Sequence, residues 1–171
     1  MEEEWKQIWE FPAYSISTYG RIRNDDRHTF VKQSLTLQGA VKVGLMSDGT
    51  QYTRSVIRLV AETFIPQKND KFNTPLHLDG DQQNNYIDNI VWRPRWFVWK
   101  YANQFRTMDK YKTYGSVVCR ETGEVYASPV EAAISHGLLF FEIVQSAIEM
   151  TPVWPDWIRF HWAGEEEGWK K

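Results

Sequence analysis

A single cysteine, Cys119, in 171 residues excludes an internal disulfide and any zinc site built on several thiolates, as expected of a protein in a reducing, cytoplasmic compartment. No apolar run approaches the roughly 20 residues that a membrane-spanning helix needs. The opening MEEEWKQIWEF is acidic where a secretory leader would be basic and then apolar. No low-complexity tract is present, and only the tail GEEEGWKK has the composition of a disordered segment. Also missing is the positive surplus usual in proteins that grip phosphates, since 20 Lys and Arg face 22 Asp and Glu. The deficit is uneven. Residues 1–114 hold 16 basic against 13 acidic side chains, and residues 115–171 hold 4 against 9. Nucleic-acid contacts are therefore expected in the front part, while the acidic back would repel a phosphate backbone.

Aromatic residues are abundant: 9 Trp, 8 Tyr and 9 Phe let even small modules bury useful area. The chain reads as α+β. Short strands around Tyr14, Ile16 and Ile22 flank the turn Tyr19-Gly20. Val41, Val43 and Leu45 alternate as on a half-buried strand, and Asp48-Gly49 forms a hairpin turn. Ser55 is placed to cap a helix, VIRLVAETF, with Ile57, Val60 and Phe64, or Leu59 and Phe64, facing a core. Pro66 ends it, and residues 67–75 form a polar connector. TPLHLDGDQQNNYIDNIVW (Thr74 to Trp92) follows as strand, turn, irregular loop and short helix around Ile87 to Ile90. RWFVWKYANQFRTMDKY reads as a spacer helix with Trp96, Trp99 and Ala102 or Phe105 on its buried side. Last come a hairpin across Thr122-Gly123 and a helix with Ser128 at N-cap, Pro129 at N1 and Glu131 at N3, ended by Gly137. FFEIVQSAIEM supplies a second helix, and Ile158 to Trp162 a strand. The expected segments are 1–54 (strand module), 55–94 (finger with its helix), 95–113 (linker helix), 114–164 (hairpin with helix, turn, helix) and 165–171 (acidic tail).

The chemistry-bearing residues cluster in the central stretch. His77 has the side chain of a base that works near neutral pH. Asp79-Gly80 makes a tight turn, and Asn84, Asn85 and Asn89 can satisfy loop amides or offer an oxygen to Mg²⁺. Taken singly, each of these is an ordinary surface or turn residue; their order and spacing are more specific. LHLDGDQQNNYIDNIVW resembles the HNH motif of homing endonucleases. EEWKQIWEFPAYSISTYGRIRN is similar to the nuclease-associated module that precedes it, with Trp5, Ile8, Phe11, Tyr14, Ser17, Tyr19, Gly20 and Arg21 in place. IRLVAETFIP resembles the helix leading into the finger, and TGEVYASPVEAA the helix-turn-helix repeat that follows it. The resemblance implies a ββα-metal-like finger, an origin in a phage or mobile element, and nicking of DNA with Mg²⁺ or Mn²⁺. By position it makes His77 the general base, Asn85 the residue bracing the loop, and Asn89 a metal ligand, with Asp79 and Asp81 as further oxygens across the turn. Three positions depart from it. Leu76 stands where an aspartate or asparagine would hold the ion, Ile57 where a histidine is frequent, and Tyr86 where an arginine is common.

For DNA the front part offers Arg21, Arg23, Arg27, Lys32, Lys42, Arg54 and Arg58, then Arg93, Arg95 and Lys100. The alternative is that these are surface charges balanced by neighbouring carboxylates. The second helix of the back part carries Glu142, Gln145, Ser146 and Glu149 and no Lys or Arg, so it fits a basic protein surface or a merely solvated face better than DNA. Three functions follow: a metal-dependent nicking enzyme that tolerates Leu76, a DNA-binding protein without catalysis, or a scaffold that inhibits or regulates a host protein through Glu142 and Glu149. No membrane and no small-molecule cofactor are expected.

Overall fold

The computed structural model describes residues 2–111 and 113–164; the expected acidic tail, 165–171, lies outside them. Two compact units divide the chain, Met1–Val98 and Trp99–Lys171. In the first, β1 (Trp5–Ile8), β2 (Phe11–Ser17), β3 (Ile22–Asn24) and β4 (Thr29–Phe30) pair antiparallel in that order. Strand β2 is central and is buried from Tyr14 to Ser17. Burying Ser15 and Ser17 is tolerable because each hydroxyl is bonded: Ser15 donates to Asp25 at 2.5 Å, and Ser17 accepts the N–H of Arg21 at 3.1 Å.

A second antiparallel sheet holds β5 (Gln33–Leu35), β6 (Val41–Ser47) and β7 (Thr50–Ser55). Asp48 and Gly49, with φ of 50° and 76°, make the tight β6–β7 turn. Helix α1 (Val56–Phe64) follows at once. Ser55 does sit at its N-cap, but contrary to expectation the hydroxyl makes no capping bond. Ser55 is also the last rung of β7, opposite Lys42, so the strand runs directly into the helix. The buried face of α1 is Val56, Leu59, Val60 and Ala61. Ile57 and Phe64 are only half-buried, and the Lys6 ammonium lies 4.9 Å from the Phe64 ring. Helix α1 packs on both sheets and on a two-stranded ribbon, β8 (Thr74–His77) and β9 (Ile90–Arg93).

Helix α2 (Arg95–Gln104) is shorter than the expected spacer and carries the boundary between the units. Its buried residues are Phe97, Tyr101 and Gln104, whereas Trp96 and Trp99 are exposed, which corrects the expected register. Both sets have helical spacing, and packing partners chose between them. In the second unit Gln104 ties down the turn between two helices by donating to the Leu138 carbonyl and accepting the Phe140 N–H.

The rest of that unit is β10 (Val117–Cys119), β11 (Val125–Tyr126), α3 (Pro129–His136), α4 (Phe140–Glu149) and β12 (Phe160–Trp162), the strands in the order β11-β10-β12. Ser128 accepts the Glu131 N–H and the Glu131 carboxylate accepts the Ala127 N–H, while Gly137 closes α3 in the left-handed conformation. Val117, Cys119, Val130, Leu138, Phe140, Ile143 and Phe160 form its core. Among the described residues no helix is long and apolar enough to cross a membrane.

Candidate functional site

Strand β8 ends on His77, which pairs with Ile90, so the loop between them leaves and returns at one place. Its own side chains hold it. The Asn89 amide oxygen accepts the Asp79 N–H at 3.0 Å, and its nitrogen donates to the Asp79 carboxylate at 2.8 Å and to the Asn84 carbonyl at 2.9 Å. Asn84 donates to the other Asp79 oxygen at 2.7 Å, and the Asp81 N–H also reaches Asp79, at 2.9 Å. Desolvation is the largest single influence on Asp79 and works against its charge. The bonds from Asn84, Asn89 and the Asp81 amide, with His77 nearby, outweigh it and hold the carboxyl below its ordinary value.

His77 is half-buried, with Nε2 3.1 Å from the Asn85 side-chain oxygen. Asn85 is buried and its nitrogen donates to the Gln83 carbonyl at 3.2 Å. That second bond fixes which end of the amide faces the ring. His77 therefore carries its proton on Nε2 and leaves the Nδ1 lone pair available. Burial lowers its pKa, against the pull of the Asn85 bond and of Asp79 and Asp81, so the ring is neutral at neutral pH.

The first sheet braces the loop from behind. Gly20 has φ +74°, and a Cβ there would stand 2.8 Å from Cβ of Asn85. The Ile87 N–H donates to the Thr18 carbonyl at 2.9 Å.

The sequence and the fold of this chain have known counterparts. Residues 3–45 match the NUMOD4 motif. Two uncharacterized HNH endonucleases of Acanthamoeba polyphaga mimivirus are similar to this chain, one 33% identical over 89 residues and the other 38% over 92. The matches cover 52% and 54% of this chain. The solved structure of DNA binding and cleavage by the HNH homing endonuclease I-HmuI aligns over 93% of this chain and 97% of its own, with a TM-score of 0.52 at 20% identity, and so shares the fold. The chain thus resembles HNH endonucleases in sequence over about half its length and shares the fold of one HNH homing endonuclease. It spans only 22% and 27% of the length of the two curated relatives.

A divalent metal is implied by this fold, and one expected ligand position in the loop offers it no oxygen. Leu76 is buried at 4% exposure opposite Val91 and has no oxygen to offer a hard cation. Asn89, the other expected ligand, is buried, and its oxygen already accepts the Asp79 N–H. Asp79 is committed to bracing the loop, and Asp81 accepts the Gln83 N–H. Among the described residues no three His, Cys, Asp or Glu side chains form a set able to hold a metal ion.

The expected DNA-binding arginines are largely paired with carboxylates. Arg21 bonds to Glu3, Arg23 to Asp25, Arg54 to Glu10 and Arg58 to Glu62. Arg54 also lies on the core-facing side of β6–β7, over the Phe11 ring. Arg93 is buried, with its guanidinium on the Trp92 carbonyl, so it is removed from the surface set. Arg95 and Lys100 are exposed, and Lys100 lies near enough to Glu142 to act on its charge. The outer face of β5-β6-β7 was not legible in the sequence as a site. Ser34, Lys42, Gly44, Met46, Gln51, Thr53 and Ser55 share it by register, without a carboxylate. On α4 of the second unit, Glu149 is exposed and Glu142 half-buried.

Proposed function

We propose that this chain binds double-stranded DNA through its N-terminal unit, and that its HNH loop no longer supports efficient metal-dependent nicking. The relatives are named as endonucleases, and I-HmuI as one that binds and cleaves DNA, which supports the partner. The outer face of β5-β6-β7 supports the location, because a lysine, hydroxyls and an amide without carboxylates suit phosphate oxygens and base edges. The observation that carries the loss of hydrolysis is Leu76, a buried side chain without an oxygen at an expected ligand position. His77 keeps the properties of a base, neutral and oriented by Asn85. A base alone lacks the cation that would neutralise charge building on the phosphate. Action inside the host cell of a phage or mobile element goes with this reading.

The test is nicking of supercoiled plasmid in Mg²⁺ or Mn²⁺ by the wild type, His77→Ala, Leu76→Asp and Leu76→Asn, with duplex affinity measured against salt. We expect affinity that falls steeply with salt and weakens in Lys42→Glu. We also expect no nicking by the wild type, and nicking by whichever Leu76 variant remains folded. Wild-type nicking that His77→Ala abolishes would overturn the loss of hydrolysis, and salt-insensitive or absent binding would overturn the DNA reading.

One observation favours a second reading, in which the acidic unit docks a basic protein segment and the chain inhibits or regulates that partner. Helix α4 exposes Phe141 at 57% and Ile148 at 68% beside Glu142 and Glu149, an apolar and acidic helix with no Lys or Arg of its own. A stoichiometric complex with a host protein, lost in Glu142→Gln/Glu149→Gln, would support it.

A further inference from the structure

We propose that the stacked rings of Tyr19 and Tyr86 form a shelf at the rim of the HNH loop that takes an unpaired nucleobase beside His77. The inference rests on the DNA-binding reading above and adds a site to it. Tyr19 lies in the turn between β2 and β3, and Tyr86 follows Asn85, the residue bonded to His77. The two turns are locked together by the fit of Gly20 against Asn85 and by the bond from the Ile87 N–H to the Thr18 carbonyl. The tyrosine centroids are 5.0 Å apart with the planes 29° from parallel. This pair is not part of the core: Tyr19 is 47% exposed and Tyr86 half-buried.

Two rings already stacked and held by a rigid backbone, one of them nearly half exposed, need little further ordering to take a third ring onto the stack. The surrounding charge does not favour phosphate there. The Arg21 guanidinium, two residues on from Tyr19, is paired with Glu3 and lies over the Trp5 and Phe30 rings, and the Tyr86 hydroxyl is hydrogen-bonded to Asp88. A planar, uncharged ligand is what remains, and among the parts of DNA that is a base. In an intact duplex both faces of each base are covered by neighbours, so the shelf serves a base that has left the stack at a bulge, a distortion or a single strand. Since Tyr86 is next in sequence to Asn85, the strand carrying that base would pass His77.

The experiment compares an intact duplex, the same duplex with a single-base bulge containing 2-aminopurine, and the single strand, by fluorescence anisotropy and 2-aminopurine quenching. The proteins are the wild type, Tyr19→Leu, Tyr86→Leu and Tyr86→Phe. The wild type is expected to prefer the bulged and single-stranded forms by about 5-fold to 150-fold, the range of one aromatic–base stack, and to quench the probe. Both Leu variants should lose the preference and the quenching while keeping duplex affinity, and Tyr86→Phe should keep all three. A tyrosine pair that only steadied the loop would change the melting temperature and leave the preference unmoved. Duplex binding with no preference, or with the same preference in the Leu variants, overturns the shelf and leaves the DNA reading standing. Absence of binding to every DNA form overturns both. Should the Leu variants fail to fold, quenching by the wild type decides: its presence supports the shelf and its absence overturns it.

Discussion

The side-chain oxygen of Asn85 holds Nε2 of His77 at 3.1 Å, while the nitrogen of the same amide is anchored on the Gln83 carbonyl. One buried asparagine thus sets both the orientation and the proton position of the candidate base. In ¹⁵N spectra of the imidazole, the wild type should show the Nε2-protonated tautomer. Asn85→Ala should give a mixture and lose about 1 to 3 kcal/mol of stability, the cost of removing one partner of a buried bond. An Nδ1-protonated wild type would contradict the arrangement.

Burial lowers the His77 pKa from its ordinary 6.5. The folded state therefore resists a proton that the unfolded chain accepts, and stability from this group is full above about pH 6.5 and is lost as pH falls toward the folded value. Asp79, also lowered, adds the same sign of dependence in a more acidic window, below its ordinary 3.8. Melting temperature should drop from about pH 8 to about pH 5, and His77→Gln should flatten that slope. An unchanged slope in the variant would assign it elsewhere.

Asn89 makes three side-chain amide bonds, one accepted and two donated, at 9% exposure. Asn89→Ala should destabilise by about 2 to 4 kcal/mol, since it strands the Asp79 N–H and the Asn84 carbonyl and weakens the loop. Asn84→Ala, at an exposed position, should cost about 1 kcal/mol or less. Urea midpoints of the two variants give the comparison, and equal costs would argue against Asn89 as the main brace.

Gly20 combines a positive φ with a close approach to Asn85 and Val56. Gly20→Ala should cost about 2 to 4 kcal/mol, backbone strain and overpacking together. It should also disturb the His77 imidazole signals, because the displaced neighbour is the residue that holds the ring. A variant of wild-type stability with unaltered signals would show that the two turns are not locked.

Burial raises the Glu142 pKa above its ordinary 4.5, with Lys100 acting in the opposite direction. A raised folded value means the contribution is present below about pH 4.5 and is lost as pH rises through the folded value. Glu142→Gln should therefore melt higher than the wild type near pH 7 and equally near pH 4. A lower melting point near pH 7 would mean that the carboxylate is stabilising there.

Much of the fold was readable because its signals are local. Asp48-Gly49 demanded a hairpin and Ser128-Pro129 with Glu131 a helix start, and both are present. The order of His77, Asn85 and Asn89 marked the loop, whose side chains bond to one another. Positions that depend on a partner were not readable. Trp96 and Trp99 were the larger side chains, yet Phe97 and Tyr101 met the packing surface. Arg93 sits among basic residues in sequence and is buried in space. Tyr19 and Tyr86 are 67 positions apart in sequence and gave no sign of their stacking.

The sequence by itself determined the identity of the loop residues, the missing oxygen at Leu76 and the uneven charge of front and back, because these follow from residue type and spacing alone. Only the tertiary structure decided that Asn89 spends its oxygen on the Asp79 amide, that four arginines spend their charge on nearby carboxylates, and that Gly20 must be small for Asn85 to reach His77. A side chain's chemistry is available only after its nearest partners have been satisfied, and those partners are set by how distant segments pack.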